Sequence, residues 1–133
     1  SVVLTVRSGQ VQIIRLPHLE VSVLYRTPSM LAQIKRPLTT AIESPLDERL
    51  RSVQPEYFVY INKGAGIGCP LSLVSVPHAN ASEQTLIDTC TSQAYDLAGR
   101  PLSPSTHVPN LSVPDYHFTQ DNQVTKIVIG AWK

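Results

Sequence analysis

The chain lacks long apolar runs and an excess of charge of either sign, and each absence excludes a class of protein. No apolar run approaches the roughly 20 residues that a membrane-spanning helix needs, and the N-terminus does not resemble a cleavable signal. A formal net charge of +1 argues against broad attraction to nucleic acid or acidic lipid. We therefore expect a soluble chain that associates with membranes only through partners or through an anchor upstream of Ser1.

The composition is typical of one globular domain. Hydrophobic residues make up 42% and charged residues 16% of the 133 positions, which is far from the composition of a disordered chain. This length provides one domain with a core and is too short for two ordinary ones. Eleven prolines against six glycines indicate many fixed bends between short segments. The sequence thus predicts a single domain over residues 1–133.

Short runs rich in β-branched and aromatic residues predict that this domain is mostly β. The predicted strands are Val2 to Val6, Val11 to Leu16, Val21 to Arg26, Tyr57 to Asn62, Leu71 to Val76, Gln84 to Asp88, Tyr116 to Thr119 and Val124 to Ile129. The first three are expected to form a meander, and the last two a hairpin. One short helix is predicted from Ser44 to Val53, with Ser44 as N-cap and Pro45 at the first helical position.

The patterns that suggest catalysis or ligand binding are weak. Gly64-Ala-Gly-Ile-Gly68 is similar to half of a phosphate-binding loop, but a strand follows it instead of a Lys-Ser/Thr pair and a helix. Ser92, Asp96 and His107 are the residue types of a hydrolytic triad, but the sequence around Ser92 is not that of a nucleophile elbow. The histidines lack the short spacing of zinc ligands, which favours plain loop and surface positions for His18, His78, His107 and His117.

The two cysteines are more informative. Cys69 and Cys90 each follow a predicted strand, and an even pair of cysteines in a small β domain can close a disulfide. Such a bond is worth roughly 3 kcal/mol in the chain-entropy model. The residues alone leave a disulfide and two reduced, buried thiols equally open, because they do not indicate the redox compartment.

Motifs in a fixed order occupy the second half of the chain. Tyr95-Asp-Leu-Ala-Gly-Arg100 is similar to Tyr-Asp-x-x-Gly-Arg, and Asn110 to Phe118 is similar to Leu-x-Val-Pro-x-Tyr-x-Phe. These are motifs of the Rieske subunit of mitochondrial and bacterial cytochrome bc complexes, which the chain resembles best over about residues 45 to 130. The family's first cluster loop, Cys-Thr-His-Leu-Gly-Cys, corresponds to Gly64-Ala-Gly-Ile-Gly-Cys69, and the second, Cys-Pro-Cys-His-Gly-Ser, to Asp88-Thr-Cys-Thr-Ser-Gln93.

The resemblance implies that the redox centre has been lost. A Rieske cluster is held by two cysteine thiolates and two histidine imidazoles. At these positions the chain has Gly64, Gly66, Asp88 and Thr91. Glycine has no donor atom, and the other two offer oxygen at best. The resemblance therefore implies no cluster, no other metal or cofactor, and no enzymatic activity. It also implies a disulfide between Cys69 and Cys90, which match the family's non-ligand cysteines.

The same resemblance implies a fold and a function. The expected fold is an all-β, Rieske-like antiparallel β-sandwich with one short helix and two former cluster-binding loops, the cluster subdomain corresponding to about residues 62–109. The expected function is that of a redox-inactive structural or accessory subunit of a large mitochondrial assembly, with a respiratory complex or supercomplex favoured and an ATP synthase or mitochondrial ribosome as alternatives.

Such a subunit would act through protein contacts at the inner membrane, with Trp132 as a candidate contact and no direct binding of nucleic acid. The alternative function is a thiol–disulfide redox switch that uses Cys69 and Cys90.

Overall fold

The structure, a computed structural model, describes residues 1–34, 49–64, 68–78, 81–102 and 108–130. Within these residues the chain forms nine strands and one short helix. In chain order they are β1 (Val2–Val3), β2 (Val11–Arg15), β3 (Glu20–Tyr25), α1 (Pro28–Gln33), β4 (Tyr57–Ile61), β5 (Leu71–His78), β6 (Ala81–Asp88), β7 (Ala94–Tyr95), β8 (Tyr116–Asp121) and β9 (Val124–Ile129).

The strands form three small antiparallel sheets, in the orders β1-β9-β8, β2-β3-β4 and β5-β6-β7. β-Branched and aromatic residues dominate these strands, because their side chains pack well on a pleated surface. The predicted all-β fold is confirmed. The short strand β7 was not predicted, because two residues are too few for a sequence pattern to indicate a strand.

The sheet β2-β3-β4 is buried on both faces. Successive side chains along a strand point to opposite faces of the sheet. On one face, Val21, Val23 and Val59 pack in a cluster with Ile127 of β9. On the other face, a second cluster contains Leu24, Phe58, Tyr60, Leu86 and Tyr95. The sheet therefore lies between the other two, and the fold is a layered β-sandwich.

The predicted N-terminal meander is wrong in its first strand. β1 pairs with β9, placing Val2 opposite Ile127, whereas β2 pairs with β3 as predicted. The Gln12 side chain joins the two sheets, because it accepts hydrogen bonds from the Thr5 and Val6 N–H groups and donates one to the Val3 carbonyl. Pairing with β9 places Val2 against the buried cluster around Ile127.

The predicted helix from Ser44 to Val53 is wrong over its described part, residues 49–53; residues 44–48 lie outside the described ranges. Arg51 has a φ of 53° and cannot continue a helix. Its guanidinium instead donates to the carbonyls of Ala98 and Leu111, at 2.8 Å each. The backbone at Arg51 is thus not helical, and its side chain ties this segment to two distant carbonyls.

The helix present in the described residues is α1, which precedes the predicted helix in the chain. It begins with the same kind of capping signal, a hydroxyl residue followed by proline. The Thr27 side chain accepts a hydrogen bond from the Met30 N–H, and Pro28 occupies the first turn. Met30 is the buried residue of the helix and joins the core cluster of Leu24 and Phe58. Among the described residues, no helix has both the length and the apolar character required to cross a membrane.

Candidate functional site

The β5–β6 hairpin brings two loops together. Leu71 at the start of β5 pairs with Asp88 at the end of β6, so the segment before Leu71 lies beside the segment after Asp88. Cys69 and Cys90 join the two segments through a disulfide, with their Cα atoms 5.8 Å apart. The predicted disulfide is confirmed, and the loops that the sequence singled out share one end of the hairpin.

Asp88 organises the second loop. The residue is completely buried, and its Oδ1 accepts hydrogen bonds from the N–H groups of Cys90 at 2.8 Å and Thr91 at 3.2 Å. Its own N–H donates to the Gln93 carbonyl, and its carbonyl accepts from the Ser92 N–H. An aspartate that accepts from the N–H groups two and three residues later stabilises a tight turn. Asp88 therefore holds the disulfide-bearing loop in place.

The second carboxylate oxygen of Asp88 has a different environment. Oδ2 is buried and accepts no hydrogen bond from the residues that the structure describes. A buried polar atom without a partner is costly, and in natural proteins it often marks a site for water or an ion.

Gly64 makes room for the Asp88 carboxylate. A Cβ atom placed on Gly64 would overlap that carboxylate and lie 2.7 Å from its Cγ. The Gly64 N–H donates to the Cys69 carbonyl at 2.9 Å, which anchors the first loop. Two of the predicted site residues, distant in sequence, are thus in direct contact. The Thr91 side chain is exposed and accepts from the Gln93 N–H, while Gly66 lies outside the described residues.

These residues do not fit an iron–sulfur cluster. Gly64, Asp88 and Thr91 offer no thiolate or imidazole, and the Asp88 carboxylate fills the space next to Gly64. The sulfur atoms of Cys69 and Cys90 are bonded to each other. Iron bound by oxygen at Asp88 and Thr91 alone would lack the ligands that hold such clusters.

The two cysteines of the disulfide differ in their exposure. Cys90 is exposed and Cys69 is half-buried. One carboxylate oxygen of Asp88 and the two sulfur atoms all lie within 4.8 Å of one another. The end of the hairpin therefore combines a disulfide, one of whose cysteines is an exposed residue, with a buried carboxylate.

A cleft of about 750 Å³ opens beside the first loop. Among its lining residues are His18, Glu20, Asn62, Lys63 and Gly64. The Asn62 amide donates to the Glu20 carboxylate at 3.2 Å, and its carbonyl oxygen accepts from the Leu71 N–H at 2.9 Å. The sequence did not indicate this cleft, because its walls come from segments that are far apart along the chain.

The turn after β7 accounts for the motif Tyr95-Asp-Leu-Ala-Gly-Arg100. Asp96 Oδ1 accepts from the N–H groups of Ala98 and Arg100, at 2.9 Å each, and Gly99 has a φ of 81°. The Asp96 carboxylate thus stabilises the turn. His107, the histidine of the hydrolytic triad considered from the sequence, lies outside the described residues. Burial lowers the pKa of Arg51, which packs on this turn, and the nearby Arg100 lowers it further.

No protein-family model and no curated protein sequence matches this chain. The function of the chain is therefore inferred from the chemistry of the two loops, the disulfide and the adjoining cleft.

Proposed function

We propose that this chain is a Rieske-like domain without a redox centre, which serves as a structural or accessory subunit of a large mitochondrial assembly. A respiratory complex or supercomplex at the inner membrane is the first candidate. The contact between Asp88 and Gly64 carries this proposal. In the resemblance these residues correspond to the two thiolate ligands, and here a buried carboxylate packed on a glycine fills their place.

The backbone of the two loops and of the turn after β7 supports the resemblance independently of the ligand residues. Gly68 has a φ of 82° and Gly99 a φ of 81°, and both align with glycines of the family motifs. Ser92 has a φ of 63° and aligns with the glycine of Cys-Pro-Cys-His-Gly-Ser. A serine in the left-handed region is uncommon. Its occurrence at that position favours a loop built on a glycine-containing ancestor.

The disulfide is a further point in support. The resemblance predicts that the two non-ligand cysteines bond to each other between the loops, and Cys69 and Cys90 do so. Without a cluster to bridge the loops, this bond and the Asp88 hydrogen bonds to the N–H groups of Cys90 and Thr91 provide their cohesion. Such a domain keeps its shape, and hence its contact surface, after losing its metal.

A subunit that acts through contacts needs exposed side chains that a partner can bury. Val53 and Leu102 are each more than half exposed, at 55% and 53%. Leu102 directly precedes Ser103 to Pro109, a stretch whose sequence aligns with the Gly-Pro-Ala-Pro loop that covers the cluster in the Rieske family. We expect partner contacts at these two residues; Trp132, the contact expected from the sequence, lies outside the described residues.

Restoring the ligands tests the correspondence. The variant with Gly64→Cys, Gly66→His, Asp88→Cys and Thr91→His is treated anaerobically with ferrous iron and sulfide. We expect it to acquire a [2Fe–2S] cluster with a Rieske-type paramagnetic resonance signal. The matched control carries the same residues one position later, as Ala65→Cys, Ile67→His, Thr89→Cys and Ser92→His, and is expected to acquire none. Equal signals, or none from the first variant, would refute the correspondence.

The assembly is tested in the native source. Native gel electrophoresis of gently solubilised mitochondria should place the chain in a band with subunits of a respiratory complex. The protein purified anaerobically from the same source should contain no stoichiometric iron. Migration as a monomer, absence from mitochondria, or a bound cluster would each contradict the proposal.

The exposure of Cys90 favours a second candidate, a thiol–disulfide switch. A switch requires a reduction potential within the cellular range, about −180 to −300 mV, whereas structural disulfides have potentials below about −300 mV. Equilibration with defined ratios of oxidised and reduced dithiol, followed by thiol labelling, measures the potential. A value below this range would leave the disulfide a purely structural role.

A further inference from the structure

We propose that reduction of the Cys69–Cys90 disulfide opens a zinc site formed by the two thiolates and the Asp88 carboxylate. All three residues lie at the end of the β5–β6 hairpin, and the proposal does not depend on the Rieske resemblance. The cysteines are those that the disulfide now joins, so the site exists only in the reduced chain.

The distances suit a tetrahedral ion. The two sulfur atoms and a carboxylate oxygen lie within 4.8 Å of one another, and the two cysteine Cα atoms are 5.8 Å apart. Zinc binds sulfur at about 2.3 Å and carboxylate oxygen at about 2.0–2.2 Å, so tetrahedral ligand atoms lie roughly 3.5–4 Å from one another. Once the S–S bond is broken, a small separation of the sulfurs is enough to admit the ion.

The carboxylate supplies a second, independent observation. Asp88 is fully buried, and its Oδ2 accepts no hydrogen bond from the described part of the chain. Its Oδ1 is held by the N–H groups of Cys90 and Thr91, which fixes the orientation of the group. Hydrogen bonds that orient a ligating carboxylate are typical of metal sites in proteins. A cation held by this carboxylate would offset its buried negative charge, which in the described part of the chain has hydrogen-bond donors at Oδ1 only.

The redox step is balanced by a dithiol reductant of the thioredoxin class. The reductant transfers two electrons and two protons, its own two thiols form a disulfide, and the S–S bond of Cys69 and Cys90 becomes two S–H groups. The attacking thiolate approaches the sulfur of Cys90, because Cys90 is the exposed residue of the pair. Zinc then displaces the two thiol protons and binds the two thiolates.

Zinc suits this donor set better than other common ions. Thiolates select zinc over magnesium and calcium, which prefer oxygen ligands alone. Three protein ligands leave a fourth position for water on the exposed side of Cys90, and the zinc site has a net charge of −1 from two thiolates, one carboxylate and the ion. When the disulfide form of the same dithiol partner accepts two electrons from the sulfurs and two protons from solvent, the Cys69–Cys90 bond re-forms, and the zinc leaves because it has lost two ligands.

The first measurement uses the full chain. Equilibrium dialysis against zinc, before and after anaerobic reduction with a phosphine, should show one zinc per reduced chain and at least tenfold less in the oxidised chain. X-ray absorption of the zinc-loaded protein should show two sulfur neighbours at about 2.3 Å and oxygen at about 2.0–2.2 Å. Equal uptake in both states, or a shell without sulfur, would overturn the proposal.

The variant Asp88→Asn tests the contribution of the carboxylate to zinc binding separately from that of the thiols. Asp88→Asn should weaken zinc binding by the reduced chain at least tenfold, because the amide is a poorer zinc ligand than the carboxylate. The matched control is Asp121→Asn, on the β8–β9 hairpin, which should leave binding unchanged. Unaltered binding by a folded Asp88→Asn protein would overturn the role of Asp88. If that protein does not fold, infrared spectra of the unmodified reduced chain with and without zinc decide the question, because a carboxylate that binds zinc shifts its stretching bands and a zinc-bound water produces no such shift.

Discussion

The carboxylate of Asp88 occupies the position that a side chain on Gly64 would need. A Cβ atom at residue 64 would overlap it, although 24 positions separate the two residues in sequence. The β5–β6 register places Asp88 beside Leu71, and the hydrogen bond from the Gly64 N–H to the Cys69 carbonyl folds the first loop back to the same place. Each residue therefore constrains what the other can be.

This contact predicts the cost of adding a methyl group at residue 64. Gly64→Ala should reduce the free energy of unfolding by about 1–3 kcal/mol, because the carboxylate must move and its hydrogen bonds to the N–H groups of Cys90 and Thr91 must distort. Chemical denaturation measures the loss.

The control is the same substitution where the carboxylate is absent. In an Asp88→Ala background, Gly64→Ala should cost clearly less than in the unmodified chain, since the overlapping carboxylate is gone and only the approach to the residue-88 Cβ, at 3.0 Å, remains. Equal costs in the two backgrounds would show that the two residues do not interact.

The disulfide should contribute measurably to stability. Cys69→Ser removes a bond that closes a loop of 21 residues, for which the chain-entropy model gives about 3 kcal/mol. We expect the melting temperature to fall by roughly 10 °C. Calorimetry of this variant, beside the unmodified chain with and without reductant, checks the value. If reduction lowers the melting temperature and Cys69→Ser does not, the effect of the reductant is not due to this bond.

The left-handed conformation of Ser92 predicts a stabilising substitution. Ser92 has a φ of 63°, which strains a residue with a Cβ atom and suits glycine. Ser92→Gly should increase the free energy of unfolding by about 0.5–1 kcal/mol, the relief of strain exceeding the added entropy of the unfolded chain. Asn122→Gly, at a φ of 51°, serves as the control and should gain less, because asparagine tolerates this region. A loss of stability in Ser92→Gly would contradict the prediction.

Burial of Tyr60 predicts how stability depends on alkaline pH. Burial raises the pKa of Tyr60 above its ordinary value of 10.0. As the pH rises, the Tyr60 phenol therefore loses its proton in the unfolded chain before it does so in the folded chain. The stabilisation that the buried, protonated phenol contributes is fully present below about pH 10 and is lost as the pH rises through the folded pKa. Tyr60→Phe should therefore weaken the fall in stability above pH 10, measured by urea denaturation at a series of pH values. Tyr57→Phe, at a phenol that is much less buried, should change the curve less.

The strand content could be predicted from the sequence because it depends on local composition. Runs such as Tyr57 to Asn62 and Val124 to Ile129 combine β-branched and aromatic residues, and the structure has β4 and β9 there. The disulfide was predicted from the resemblance of the segments around Cys69 and Cys90 to the two Rieske cluster loops, and the structure has it. The predicted helix failed at Arg51, since a capping signal says nothing about the carbonyls that a guanidinium will find elsewhere in the fold.

The sequence by itself determined the all-β class and which residues stand at the two loops, because periodicity and motif spacing are local properties of the chain. Only the tertiary structure decided that β1 pairs with β9, that Asp88 lies on Gly64, and that a cleft opens beside Lys63. These relationships join residues far apart in sequence. They depend on strand register and on the burial of both faces of the central sheet, which no local pattern specifies.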